Sequence, residues 1–213
     1  MTKLHVRFGT VDSGKTLRLL SDAYQYQKQG KRPYLIKPTR DTRNKEIVWS
    51  RIEQISRPCD LFLHPHEDVP EIPSDVKCIF VDEVQFFTSR QIEQLAVIAQ
   101  TVPVICYGLR TNFKKKLFPA IITLTALMHE VQFIKSLCSG SGCDRMAMFN
   151  MRLHNGVPVF TGDSIETGTH YKGVCDKCYD AAFAASVVGS TVTPSSPLSP
   201  ESPSIASTVS TDV

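Results

Sequence analysis

The chain contains no apolar run approaching the ~18 residues that a membrane-spanning helix needs, so no membrane partner is expected. It also lacks a strong charge of either sign. Its 24 basic and 21 acidic residues leave a net charge of +3, too balanced to argue for nucleic-acid binding by electrostatics. No leader-like segment precedes the first strand-like run, because Met1-Thr2-Lys3 leads straight into it; a cytoplasmic location is the expectation. No internal repeat is evident. The 213 residues suffice for one α/β domain with a small attachment.

Strand-like and helix-like segments alternate along the first two thirds of the chain. Leu4 to Phe8 alternates apolar and polar residues, and Pro33 to Lys37, Val76 to Val81, Val102 to Tyr107 and Glu130 to Lys135 also read as strands. Lys15 to Gln29 has apolar residues near helical spacing and Gly30 to end it, and Thr88 is placed to cap a helix running to Gln100. This order predicts a mainly parallel sheet with helices on both faces, with ligands at the carboxyl ends of the strands. Arg40 to Ser74 reads as hairpin or loop. Residues 1–136 form the α/β domain on this reading and 137–183 a small β-rich module. Residues 187–213, dominated by Ser, Thr and Pro, cannot bury enough apolar surface to fold and are expected to be disordered.

Three constellations carry chemistry. Gly9-Thr10-Val11-Asp12-Ser13-Gly14-Lys15-Thr16 fits the pattern of a phosphate-binding loop, with a strand before it and a helix after. In such a loop the backbone N–H groups face a common centre, Lys15 reaches the β- and γ-phosphates, and Thr16 coordinates Mg²⁺. Asp82, at the end of an apolar strand, is the expected second metal-side group. Glu83 beside it has two readings, a base for a hydroxyl acceptor or a group activating water in a plain ATPase; a solvated loop charge is the bland alternative.

Seven cysteines divide into two kinds. Cys59, Cys78 and Cys106 are isolated, and the latter two lie in apolar runs as buried thiols do. Cys138-x₄-Cys143 and Cys175-x₂-Cys178 are two half-sites with the spacing of a closed, structural zinc centre. Lys114-Lys115-Lys116 reads as a solvated surface run.

With these residues assembled, the chain resembles the type II thymidine kinases, the zinc-containing phosphate-loop deoxynucleoside kinases. The carriers are the loop at 9–16, Val81-Asp82-Glu83-Val84-Gln85-Phe86-Phe87, Tyr107-Gly108-Leu109-Arg110-Thr111-Asn112-Phe113, and Tyr171-x₃-Cys175-x₂-Cys178-Tyr179. The resemblance implies a phosphate-loop NTPase-like fold with a zinc-bound lasso module, and transfer of the ATP γ-phosphate to thymidine with Mg²⁺ and structural Zn²⁺. It implies Glu83 as the catalytic base and Asp82, Glu83, Val84 and Gln85 as a second nucleotide-binding block. Phe86, Leu109, Phe113 and Tyr171 would line the thymine pocket, with Val11 and Asn150 near the thymine methyl group. Arg51 matches a loop that approaches the phosphates. A homotetramer and feedback inhibition by dTTP are implied in the same way. The chain departs from the family in the wide first cysteine pair, in Asn112 where an acid is common, and in Glu166-Thr167-Gly168 in place of a glycine-rich lasso stretch.

Three rival readings remain at this point, one of them a regulatory nucleotide-binding protein without catalysis, against which the intact Lys15, Asp82 and Glu83 set counts. Another is a kinase for another deoxynucleoside, such as deoxyuridine or deoxycytidine. The third is a phosphate-loop ATPase with a zinc ribbon acting on nucleic acid. Ser196, Ser199 and Ser202, each followed by proline, offer sites for proline-directed kinases, although a functionless end is the preferred reading of that tail.

Overall fold

The computed structural model describes residues 3–39, 47–50, 55–163 and 170–190. Arg51, the lasso stretch at Glu166, and Ser196, Ser199 and Ser202 lie outside the described residues. A six-stranded sheet forms the centre, built from β1 (Leu4–Gly9), β2 (Arg32–Pro38), β5 (Leu61–Leu63), β6 (Val76–Val81), β7 (Val104–Gly108) and β8 (Glu130–Ile134). Their order is β5-β2-β6-β7-β1-β8, and every neighbouring pair is parallel. The segment read as hairpin or loop contains a short antiparallel pair, β3 (Ile47–Trp49) with β4 (Ser56–Pro58), as well as β5.

Period-two alternation sorts the strand residues between two cores. Leu35, Cys78, Phe80, Ile105 and Tyr107 face α1 (Lys15–Lys28) and pack on its Leu19, Leu20 and Ala23. Tyr34, Ile36, Ile79, Val81, Val104 and Cys106 face the other way, toward α2 (Ser89–Ile98) and α3 (Pro119–Leu127). Helices therefore cover both faces, as the alternation of segments predicts. Burial pushes the Cys78 thiol up to about 12 and raises Cys106 as well, so both behave as inert apolar side chains.

A polar network sits under α1. Arg7 on β1 ion-pairs with Asp22 on α1, and Tyr107 on β7 donates to Asp22 Oδ2 at 2.5 Å. Arg7 Nη1 in turn donates to the Tyr107 hydroxyl at 2.9 Å. The strand before the phosphate loop and the helix after it are thus joined by a charge pair as well as by the loop itself.

The remaining chain forms a three-stranded antiparallel sheet, β10-β9-β11, from β9 (Phe149–His154), β10 (Val157–Val159) and β11 (His170–Val174). It carries its own small core of Cys138, Val174, Cys175 and Tyr179, flanked by Phe149, Met151 and Phe160. A helix, α4 (Asp176–Ser190), follows and extends past residue 183, where the sequence reading ends the module. Lys115 is not a solvated charge. It ion-pairs with Asp180 at 2.5 Å and lies 4.3 Å from the Tyr179 ring centroid, docking α4 onto the main domain.

Helix α2 starts as its sequence predicts. The Thr88 hydroxyl accepts from Gln91 N at 3.2 Å, and the Gln91 side chain accepts from Thr88 N at 3.0 Å, forming a reciprocal capping box. Gln91 also donates to the carbonyls of His64 and Glu67, which ties the β5 exit to α2. Thr88→Ala is expected to lower unfolding free energy by about 1 kcal/mol in urea denaturation. An unchanged midpoint would show that the cap contributes nothing to this helix.

Candidate functional site

Three strand ends meet at one edge of the sheet. β1 leads into the loop Gly9–Thr16, β6 into Asp82 and Glu83, and β7 into Leu109–Phe113, and these strands are adjacent in the order β6-β7-β1. The loop curls through two left-handed residues, Asp12 (φ 56°) and Gly14 (φ 82°). Gly9 lies close against Ser13, since a Cβ there would lie 2.2 Å from Ser13 Oγ. Lys15 Nζ donates to the Thr10 carbonyl at 2.7 Å, which holds the ammonium over the loop.

Two further features fit the loop to a phosphate. Helix α1 begins at Lys15 with no side-chain cap and no acidic residue of its own in its first turn, which suits an anion at this dipole end. Ser13 Oγ is the buried side-chain polar atom found without a hydrogen-bond partner among the described residues.

Asp82 faces the loop from the end of β6, and Glu83 follows it. Thr16 Oγ1 donates to Asp82 Oδ2 at 3.3 Å, which brings together the two groups expected on a metal ion. Burial pushes Asp82 up to about 7, and the neighbouring Glu83 carboxylate adds to this while Lys15 opposes it. A cation bound between Asp82 and the loop would replace that proton. Glu83 takes a left-handed conformation (φ 49°), uncommon for a residue with a Cβ and a recurrent mark of functional positions.

Gln85 is buried and bridges two parts of the site. Its Nε2 donates to Glu83 Oε2 at 2.5 Å, and its Oε1 accepts from Leu109 N at 2.9 Å. Gly108 makes room for this, because a Cβ there would lie 2.4 Å from Gln85 Oε1. The sequence resemblance puts Gln85 in a nucleotide-binding block; the structure shows its amide orienting the Glu83 carboxylate. Val84, in the same block, is fully buried in the main core.

The residues expected around a nucleoside come from the exits of β6 and β7 and from β9 and β11. Phe86 is partly buried and meets Phe118 edge-on at 6.2 Å, and Leu109 packs on the same core. Phe113 is buried, with the Arg152 guanidinium 4.0 Å from its ring centroid and its carbonyl accepting from the Tyr179 hydroxyl at 2.5 Å. Tyr171 stands opposite Arg152 in the β9–β11 register. Asn150 lies between the loop and the β7 exit: its Oδ1 accepts from Val11 N at 2.8 Å, and its Nδ2 donates to the Thr111 carbonyl at 3.2 Å. Asn112 forms a turn by accepting from the N–H groups of Lys114 and Lys116.

Arg152 was not found by sequence reasoning. It is buried, stacks on Phe113 and donates to the carbonyls of Thr161 and Asp163. Its only sequence signal is an arginine in the middle of a strand-like run.

The four paired cysteines converge. Their sulfurs all lie within 4.8 Å of one another, with Cys143 Sγ and Cys175 Sγ 3.8 Å apart. Four sulfurs bound at ~2.3 Å to one tetrahedral ion would be ~3.8 Å apart, so the cluster fits zinc. The wide Cys138-x₄-Cys143 spacing does not exclude Cys138 from it. Burial alone would raise the Cys138 thiol. The N–H groups of Cys175 (3.2 Å) and Gly140 (3.3 Å) and the adjacent thiols outweigh that and bring it down to about 7. Hydrogen bonds with Cys175, Cys138 and Cys143 push Cys178 up to about 12, as when thiols share protons that a metal would displace. A Cβ on Gly140 would lie 2.7 Å from Cys178 Sγ, so this turn must be glycine for the cluster to close.

A surface cavity of about 600 Å³ lies elsewhere, between residues 69–74 and α2, and shares no residue with the loop, the acidic pair or the cysteines. No helix among the described residues is long and apolar enough to cross a membrane.

A phosphate loop on a parallel sheet, facing a metal-side acid and joined to a four-cysteine module, defines the class as a phosphate-loop α/β protein. The family model for thymidine kinase matches residues 2–179. The thymidine kinase of Streptococcus agalactiae serotype Ia is 33% identical over 190 residues, covering 84% of this chain and 97% of that one. The thymidine kinase of Francisella tularensis subsp. holarctica is 35% identical over 192 residues, covering 83% and 96%. The chain belongs to the thymidine kinase family. The pilus retraction motor PilT with bound ADP overlays with a TM-score of only 0.38 at 12% identity, covering 89% of this chain and 52% of that one.

Elemental analysis of the purified protein is expected to give about one zinc ion per chain, held by four thiolates. Cys175→Ser is expected to lose the metal and to lower the thermal midpoint by several degrees. A metal-free wild-type protein with an unchanged midpoint would contradict the assignment.

Proposed function

We propose that this chain transfers the γ-phosphate of ATP to the 5′-hydroxyl of thymidine, giving thymidine monophosphate and ADP. Family membership supports the acceptor. The observation that carries the mechanism is the meeting of Thr16 and Asp82 at 3.3 Å across the loop, with Glu83 immediately beyond on the same strand end.

Gly9 to Thr16 holds the phosphates with its backbone N–H groups, while Lys15 balances the charge of the β- and γ-phosphates. Thr16 and Asp82 hold Mg²⁺, which neutralises charge on the transferring phosphoryl group when bound. Glu83, oriented by Gln85, accepts the 5′-hydroxyl proton as that oxygen bonds to the γ-phosphorus and the bond to the β-phosphate oxygen breaks. Phe86, Leu109, Phe113 and Tyr171 bound the base, and zinc on Cys138, Cys143, Cys175 and Cys178 keeps the lasso module in place.

By the same resemblance we place the enzyme in the cytoplasm as a homotetramer inhibited by dTTP. Self-association has support in β8, an edge strand with Val131 39% and Phe133 56% exposed, and in Ile122 on α3, 59% exposed.

Purified protein with Mg-ATP is expected to release ADP only when thymidine is present. A panel with deoxyuridine and deoxycytidine tests the acceptor, and ADP release independent of any nucleoside would overturn the proposal. Glu83→Gln is expected to keep Mg-ADP binding and to lose about 10²–10⁴-fold in kcat. Unchanged turnover would remove Glu83 from the base role.

A further inference from the structure

Asn150 is placed to do something other than touch the nucleoside. It lies on β9 of the cysteine module with 4% of its surface exposed, and both polar atoms of its amide are engaged by backbone. Oδ1 accepts from Val11 N at 2.8 Å, in the phosphate loop, and Nδ2 donates to the Thr111 carbonyl at 3.2 Å, in the β7 exit. The partners fix the amide orientation, since an N–H needs an acceptor and a carbonyl needs a donor. Three segments remote in sequence meet at this one side chain.

A further contact joins the same loop to the same module, and another joins it to the residue that leads into the module. Gly173, opposite Asn150 in the β9–β11 register, packs directly on Thr10: a Cβ there would lie 2.7 Å from Thr10 Oγ1 and 3.1 Å from Thr10 Cβ. The Thr10 hydroxyl also bonds Ser136 Oγ at 2.9 Å, just before Cys138. Thr10 is in turn the residue whose carbonyl receives Lys15 Nζ. The loop is therefore shaped on one side by its own helix and on the other by the module.

We propose that Asn150 is a positioning residue that latches the phosphate loop to the cysteine module, so that affinity for the ATP phosphates depends on the module that also covers the nucleoside. The Val11 N–H is directed to Asn150, and that bond sets the path of the chain entering the loop. Loss of the amide frees the loop tip and leaves the part-buried Val11 N–H and the buried Thr111 carbonyl without this partner, which weakens phosphate binding even when no nucleoside is present. This inference rests on reading Gly9–Thr16 as the ATP site.

The test is titration calorimetry of Mg-ADP, without nucleoside, on full-length wild type and Asn150→Ala, with zinc content and thymidine KM measured in parallel. The expected result is an affinity for Mg-ADP reduced by about ten-fold, comparable to the loss of one buried hydrogen bond. Zinc content stays at the wild-type level and thymidine KM changes by less than about three-fold. An unchanged Mg-ADP affinity with a raised thymidine KM would make Asn150 a nucleoside contact and overturn the proposal. If Asn150→Ala does not fold or loses zinc, Gly173→Ala decides, because it presses on Thr10 and brings no polar group to the nucleoside side. Weaker Mg-ADP binding by that variant at full zinc content supports the latch, and unchanged binding overturns it. Wild-type protein that binds no Mg-ADP would instead refute the reading of the loop as the ATP site.

Discussion

The site depends on the parallel registration of three neighbouring strands. β6, β7 and β1 run side by side, with Val81 beside Cys106 and Gly108 beside Phe8, so their carboxyl ends open at one edge. Everything polar that the chemistry needs is delivered there by short exits. Thr16 meets Asp82 across that edge, and Gln85 joins Glu83 to the exit of β7. A buried acid such as Asp82 is costly to leave charged without a partner, and a cation beside Thr16 is the partner this geometry admits.

The second constraint is the cluster of four cysteines. The stretch between the cysteine pairs is too short and polar to build a large core, and the apolar group it packs into is small, with Val174 of the stretch against Tyr179 beyond it. A metal ion on the four clustered sulfurs would supply the order that burial cannot. The cluster acts at a distance because β9 and β11 leave it to lie against the phosphate loop. Asn150 and Gly173 carry that contact, and Arg152 turns the same strand toward Phe113 and the residues at 161–163. The phosphate-loop sequence and the cysteine module are thus in direct contact through β9 and β11.

Much of this was legible in the sequence, for local reasons. The loop announces itself because phosphate binding needs glycines, a lysine and a hydroxyl at fixed spacing. The acidic pair is visible because it ends an apolar strand, and the cysteine pairs because thiolates coordinate in short spacings. Helices α3 and α4 were not read. Pro119 to Leu127 is apolar around nearly its whole circumference and shows no amphipathic period, while α4 begins inside a metal half-site and is rich in alanine and serine. The roles of Gln85, Asn150 and Arg152 were beyond sequence reading, because each depends on partners brought near only by the fold. Asn150 is 139 residues from Val11.

Donor and acceptor meeting at the end of β6 is tested most directly by a crystal structure with Mg²⁺ and a compound linking thymidine to ATP through its 5′ oxygen. The predicted result has the phosphates over Gly9 to Thr16, the metal beside Thr16 and Asp82, and the 5′ oxygen about 3 Å from a Glu83 carboxylate oxygen. A 5′ oxygen beyond hydrogen-bond reach of Glu83, with the thymine outside the space bounded by Phe86, Leu109 and Tyr171, would contradict it.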